Sequence, residues 1–194
     1  MKKKIIVGLD FDGVVAYNPI RILRLPVALA KQYFLRKTTT HFFVPKSAVT
    51  RFIWAGIFES SIFPARGSAL LAQFVREKRI EAHLVTARFS FMRNHLYRWL
   101  RVWGMEEIFT TITTNDADEQ PHLFKARVVA EKKFDVYIED NWDIVAHLNS
   151  KNLSTQVYWI YNILDRSRKY QYKYPYVLKA LEHIVALKKI KAKR

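Results

Sequence analysis

The stretch "KKKIIVGLDFDGVVAYN", residues 2 to 18, decides the fold. An apolar run from Ile5 to Leu9 is too short for a helix and reads as a strand buried on both faces, the kind found inside a parallel sheet. It ends on two carboxylates, Asp10 and Asp12, one residue apart. On an extended chain that spacing puts both side chains on one side, and Gly13 permits a turn directly after them. In open α/β sheets ligands bind beyond the carboxyl ends of the strands. Two acids there are placed for chemistry rather than for packing.

Strands of the same kind follow at 81–88 ("EAHLVTAR"), 109–115 ("FTTITTN"), 135–140 ("DVYIED") and 156–162 ("QVYWIYN"). Between them, 68–79, 90–104, 121–133 and 141–150 repeat apolar residues at three and four, the period of a helix with one buried face, and Pro121 suits a first helical position. Strand and helix alternate. The pattern predicts an α/β fold with a Rossmann-like, mainly parallel sheet flanked by helices. Residues 16–65 interrupt it. That stretch is aromatic and basic, with a helix expected over 19–36 and a second apolar segment over 42–58, and it reads as a mostly helical cap inserted into a core formed by 1–15 and 66–194. The final "KKIKAKR" reads as a frayed helix end or tail.

Composition narrows the function. The chain has 194 residues, half of them apolar, enough for one domain with an insertion. With no cysteine there is neither a thiol nucleophile nor a thiolate metal site, and a reducing, cytoplasmic location is the default expectation. The five-residue apolar run is too short for a secretory signal, and no window is long and apolar enough to span a membrane. The 33 Lys and Arg against 17 Asp and Glu give a charge of +16, which suits anionic partners. From Gly13 to Phe58 there is no carboxylate, and from Arg166 to Arg194 ten basic residues face Glu182 alone. The basic insertion and C-terminus could therefore meet nucleic acid or an anionic surface, although a solvated basic face is the commoner meaning of scattered charge. His41, His83, His95, His122, His147 and His183 show no metal-ligand spacing.

Further polar clusters close the later strands: Thr86 and Arg88 in "LVTAR", and Glu139 and Asp140 in "YIEDNWD", with Lys125 on the helix before the latter. In this order "LDFDGVV", "LVTAR" and "FKARVVAEKKFDVYIEDNWD" resemble the haloacid dehalogenase-like (HAD) superfamily of aspartate-nucleophile phosphatases. The Val after Gly13, the early insertion and the paired acids are most similar to its small deoxynucleotidase-like members with a helical cap. The resemblance implies a Mg²⁺-dependent phosphomonoester hydrolase, with nucleotides or another small phosphorylated metabolite as substrate. It implies Asp10 as nucleophile and Asp12 as general acid and base. Mg²⁺ would be held by Asp10, the backbone carbonyl of Asp12 and Asp140. Gly13, Thr86, Ala87, Arg88 and Lys125 would surround the phosphate, and Glu139, Asn141 and Asp143 would orient Asp140 and Lys125. Lys132 and Lys133 are rivals to Lys125, but they stand at the helix end, where lysines commonly complement the dipole. The contrasting expectation is a phosphate- or nucleic-acid-binding protein on this fold with little or no phosphatase activity, or a phosphatase of polynucleotide ends.

"YQYKYPY", 170–176, alternates tyrosines that could stack bases, but it reads better as an extended segment laying rings on the core. Phe42, Phe43, Phe52, Trp54 and Phe58 read as the core of the cap in preference to a pocket lining.

Overall fold

The computed structural model describes residues 4–19, 45 and 47–191. Positions 20–36 of the helix expected over 19–36, Phe42 and Phe43, and the last three residues of the tail lie outside the described residues.

Within them the first strand, β1 (Ile5–Leu9), is followed by β2 (Ala16–Tyr17), α1 (Ala48–Glu59), β3 (Phe63–Pro64), α2 (Ser68–Arg76), β4 (Ile80–Phe89) and α3 (Arg93–Val102). Then come β5 (Phe109–Asn115), α4 (Pro121–Lys132), β6 (Val136–Glu139), α5 (Trp142–Ser150), β7 (Gln156–Ile160), β8 (Lys173–Tyr174) and α6 (Val177–Lys191). The sheet runs β5-β4-β1-β6-β7-β8, with every pairing parallel, so β1 lies between β4 and β6. This is the α/β architecture that the alternating pattern predicts.

Alternation along the strands feeds two cores. Val7 and Leu9 of β1, with Val136 and Ile138 of β6, join Leu71, Phe74, Leu96, Leu100, Leu181 and Ile184 from α2, α3 and α6 on one face. On the other face Tyr137 and Val157 meet Phe124, Val128 and Val129 of α4 and Ile144, Val145 and Leu148 of α5. Gly8 belongs to this second face. A Cβ there would stand 2.6 Å from the Phe134 ring and 2.7 Å from that of Tyr137, so the central strand is bare where two large rings need the room. Gly8→Ala is expected to cost about 1 to 3 kcal/mol by overpacking, read as a lower urea midpoint with an unchanged slope.

The elements depart from the expected boundaries where local chemistry intervenes. The helix expected over 90–104 opens as a 3-10 turn, Ser90–Met92, whose first backbone N–H and hydroxyl donate to Asp118. The helix expected over 68–79 stops at Arg76, and Lys78 turns left-handed with φ 55°. "YQYKYPY" yields a short edge strand, β8, beside Trp159 and Ile160. Tyr172 and Tyr174 both stack on Tyr158 at 5.1 Å, and Tyr170 packs on Trp142 and Trp159. The Arg66 guanidinium lies 4.6 Å over the fourth ring, Tyr176, so all four are occupied by the protein itself. The last helix continues through "KKIK" to Lys191.

β2 and β3 pair antiparallel, Ala16 with Pro64 and Tyr17 with Phe63, so the two legs of the 16–65 stretch leave and return side by side next to the end of β1. α1, from the second apolar segment, touches the core through Trp54 on Phe89, Arg51 over Phe91, and Glu59 with His95. Phe52 is exposed and is not part of a core.

Candidate active site

The carboxyl ends of β1, β4 and β6, three neighbours in the sheet, bring the polar residues together. Asp10 continues β1, and its backbone N–H donates to the Ile138 carbonyl at 2.9 Å, which fixes it against β6. The chain then folds back sharply: the N–H groups of Val15 and Ala16 both donate to the Phe11 carbonyl, and that of Gly13 to Ala16. Gly13 has φ +87°, and a Cβ on it would lie 2.1 Å from Asp140 Oδ2. Only glycine lets this turn and the Asp140 carboxylate share the space.

One half of the site is an ion cluster. Lys125 Nζ lies 2.9 Å from Asp10 Oδ1 and 2.7 Å from Glu139 Oε2. All three are buried, Lys125 at 3 % and Glu139 at 0 % exposure. Lys132 and Lys133 are exposed. Burial alone would push the Lys125 ammonium down, but the Asp10 and Glu139 carboxylates outweigh it and hold its pKa above the ordinary value. Asp10 is pushed well above the usual carboxylate range by burial first and by the Glu139 charge next, with Lys125 pulling the other way. Burial and Glu139 likewise raise Tyr137, whose hydroxyl donates to Glu139 Oε2 at 3.4 Å. Glu139 Oε1 accepts from the backbone N–H groups of Asp140 and Asn141, at 3.2 and 3.1 Å. Asn141 caps α5 by accepting from the Asp143 N–H at 3.0 Å, so Asp143 stands in the first turn of that helix. The Trp159 indole donates to the Asp140 carbonyl at 3.2 Å.

One carboxylate oxygen from each of Asp10, Glu139 and Asp140 lies within 4.8 Å of the others. Buried oxygen donors of one sign, crowded enough that burial and Glu139 raise the Asp10 pKa, fit a hard divalent cation such as Mg²⁺. Asp10 and Asp140 are the two carboxylates expected there, and Glu139, expected to orient its neighbours, stands beside them. Asp12, expected to offer its backbone carbonyl, turns its carboxylate elsewhere.

Asp12 belongs to the other half. Its Oδ1 accepts from Arg88 Nη2 at 2.7 Å and its Oδ2 from Arg88 Nε at 2.8 Å, a two-pronged ion pair. Ser61, between α1 and β3, donates to Asp12 Oδ1 at 2.5 Å. Arg88 lies 4.6 Å above the Phe11 ring and is 6 % exposed. The β4–β5 register shifts between Thr86 and Phe89, so Ala87 and Arg88 fall in an irregularity of the kind that re-aims side chains. Thr86 is buried, and its hydroxyl accepts from the Arg88 N–H at 3.3 Å. Ser61 is a site residue that sequence reasoning missed: 49 positions from Asp12, it belongs to no motif.

Neither a family model nor a curated protein matches the sequence. Solved structures do. The HAD-hydrolase YfnB of Bacillus subtilis, bound to magnesium, superimposes with a TM-score of 0.59 at 14% identity, over 95% of this chain and 100% of its own. CbbY of Rhodobacter sphaeroides in complex with phosphate gives 0.58 at 13% identity, over 93% and 100%. A protein of Thermotoga maritima assigned as a beta-phosphoglucomutase gives 0.57 at 15% identity, over 95% and 100%. At such identities the likeness carries the fold and leaves substrate open. The chain has the fold of the haloacid dehalogenase-like hydrolases, as its motifs resemble.

Proposed function

We propose that the chain is a Mg²⁺-dependent phosphomonoester hydrolase that works through an aspartyl-phosphate on Asp10. The observation that carries this reading is the buried Asp10–Lys125–Glu139 cluster at the carboxyl end of the central strand. Phosphoryl transfer needs a positioned nucleophile, positive charge for the equatorial oxygens and a proton for the departing oxygen. An Asp10 oxygen attacks phosphorus as the bond to the leaving oxygen breaks, and Asp12 supplies the proton. Asp12 then takes a proton from the water that attacks phosphorus and frees Asp10. Lys125, fixed by Glu139, keeps Asp10 in place and faces the phosphoryl group, while Thr86 offers it a hydroxyl and the Gly13 turn a close backbone approach. Asp10 and Asp140, with Glu139 beside them, would hold Mg²⁺, which would supply further charge to the phosphoryl oxygens. The 16–65 stretch acts as the cap that keeps bulk water out.

Hydrolysis of an aryl phosphate that requires Mg²⁺ tests the chemistry, and a screen of phosphorylated metabolites, nucleoside monophosphates among them, tests the substrate. The +16 charge supports a second reading of the substrate alone, a phosphorylated polynucleotide end. Affinity for single-stranded oligonucleotide that falls steeply with salt is its expected result, and a flat dependence removes it.

Metal binding should also be visible without turnover. Because burial and Glu139 raise the Asp10 pKa, Asp10 keeps its proton to higher pH than an ordinary carboxyl, and that proton must leave before a cation binds. Mg²⁺ is therefore expected to raise the melting temperature near neutral pH and to do so less as pH falls through the raised value, as read by thermal shift. An equal shift in acid would contradict the Asp10 ligand.

A further inference from the structure

α1 carries apolar side chains where a surface helix normally carries charge. Val49, Phe52, Ile53 and Gly56, spaced three and four apart, share one face of it, and that face is open: Val49 is 69 %, Phe52 81 % and Ile53 57 % exposed. Thr50, Trp54 and Ile57, on the other side, are partly buried, with Trp54 against Phe89. α3 shows the ordinary arrangement, since Arg93, Arg98 and Arg101 stand on its exposed positions. The charged residues of α1 are Arg51 and, at its last position, Glu59, which is engaged with His95. The apolar exposure continues past the helix. Ile62 and Phe63 are exposed on the returning leg, and the Phe63 ring lies 6.2 Å from that of Trp103, exposed in its turn.

Aliphatic and aromatic side chains left in water on one helix face mark a contact surface. Charge says what the surface meets. From Gly13 to Phe58 every charged residue is Lys or Arg, so an anionic partner is favoured. Nucleic acid is anionic and stacks its bases on rings, but it offers little to Val49 and Ile53. An anionic bilayer offers phosphates to the basic residues and acyl chains to the aliphatic ones. The twelve residues of α1 cover roughly 18 Å against a hydrocarbon core of about 30 Å, so the helix is of a length to lie along a bilayer and not across it. Aromatic rings such as those of Phe63 and Trp103 suit the headgroup level beside it.

We propose that the outer face of α1 is a docking surface for an anionic membrane. Val49, Phe52 and Ile53 enter the boundary between headgroups and acyl chains, and the basic charge of the insertion meets the lipid phosphates.

Cosedimentation of the full chain with vesicles tests this, and it reads binding without any turnover. Vesicles of phosphatidylcholine and phosphatidylglycerol in equal parts should bind the wild type at least ~tenfold tighter than phosphatidylcholine alone, since each basic residue near the surface adds to the attraction. The double variant Phe52→Ser, Ile53→Ser keeps every charge and should bind the mixed vesicles at least ~tenfold more weakly, with an unchanged melting temperature. Leu123→Ser, at a half-exposed apolar position on α4, should bind as the wild type does. Equal binding to both vesicles, binding to neither, or a loss as large in Leu123→Ser would overturn the proposal. Wild-type vesicle binding by the double variant would reduce the contact to adsorption by charge alone, and the same result with weakened binding of single-stranded oligonucleotide would assign the face to nucleic acid; either outcome overturns it. A lowered melting temperature or failure to fold in the double variant would show that the protein itself covers the face, and overturns it equally.

Discussion

Asp10→Asn is expected to lower turnover of an aryl phosphate by at least ~10³-fold while leaving a cooperatively folded protein. The size follows from the role. An amide is a poor nucleophile and a neutral ligand, so the substitution removes the attacking atom and one charge from the cation site together. The fold should survive, because Asp10 is crowded by Glu139 and by burial to the point of holding its proton above the usual range, and the isosteric amide relieves that crowding. Its backbone N–H to Ile138 is untouched. Undiminished hydrolysis in a folded Asp10→Asn protein would remove Asp10 from the chemistry.

Lys125→Met should have the largest effect on stability. Lys125 Nζ lies between two buried carboxylates, at 2.9 and 2.7 Å, and loss of one partner from such an arrangement costs about 3 to 5 kcal/mol. The pH dependence has a definite sign. Asp10's folded pKa is already above its unfolded value of 3.8, and without the ammonium it rises further. A group raised in this way contributes its stability below the unfolded pKa and loses it as pH rises through the folded one. The deficit of Lys125→Met relative to wild type should therefore shrink in mild acid and grow toward neutral pH, as urea denaturation at several pH values would record. A constant deficit would mean that the lysine stem, and not its charge, is what the site needs. Lys132→Met and Lys133→Met, at exposed positions, should change little at any pH.

How far the sequence foretells this site depends on what each contact needs. β1 announces itself through its apolar run, and Asp10 and Asp12 through their spacing, because both are local properties. Lys125 is separable from its neighbours by a local argument too, since its helix buries Val128 and Val129 on the same side. The different fates of the two acids are not legible. That Asp12 turns to Arg88 while Asp10 turns to Lys125 depends on the shift in the β4–β5 ladder at Ala87 and Arg88, a property of two strands rather than one. Arg88 therefore reads as ordinary strand-end chemistry until the fold brings it across. Ser61 is invisible for a simpler reason: a serine in a loop has no pattern, and only the return of the chain through β3 brings it to Asp12. Glu139 shows the converse. The sequence marks it as an acid beside Asp140, but its burial between Tyr137 and Lys125 is what makes it both a support and a member of the carboxylate cluster.

The most direct test of the account is to find the phosphoryl group on the protein. During turnover of an aryl phosphate the protein is quenched in acid, the acyl phosphate is reduced in place with borohydride, and the peptides are mapped by mass spectrometry. The modification is expected on the peptide that begins in β1, at position 10, and at no other carboxylate. Modification at position 12 instead, or hydrolysis that proceeds with no modified aspartate, would contradict Asp10 as the nucleophile.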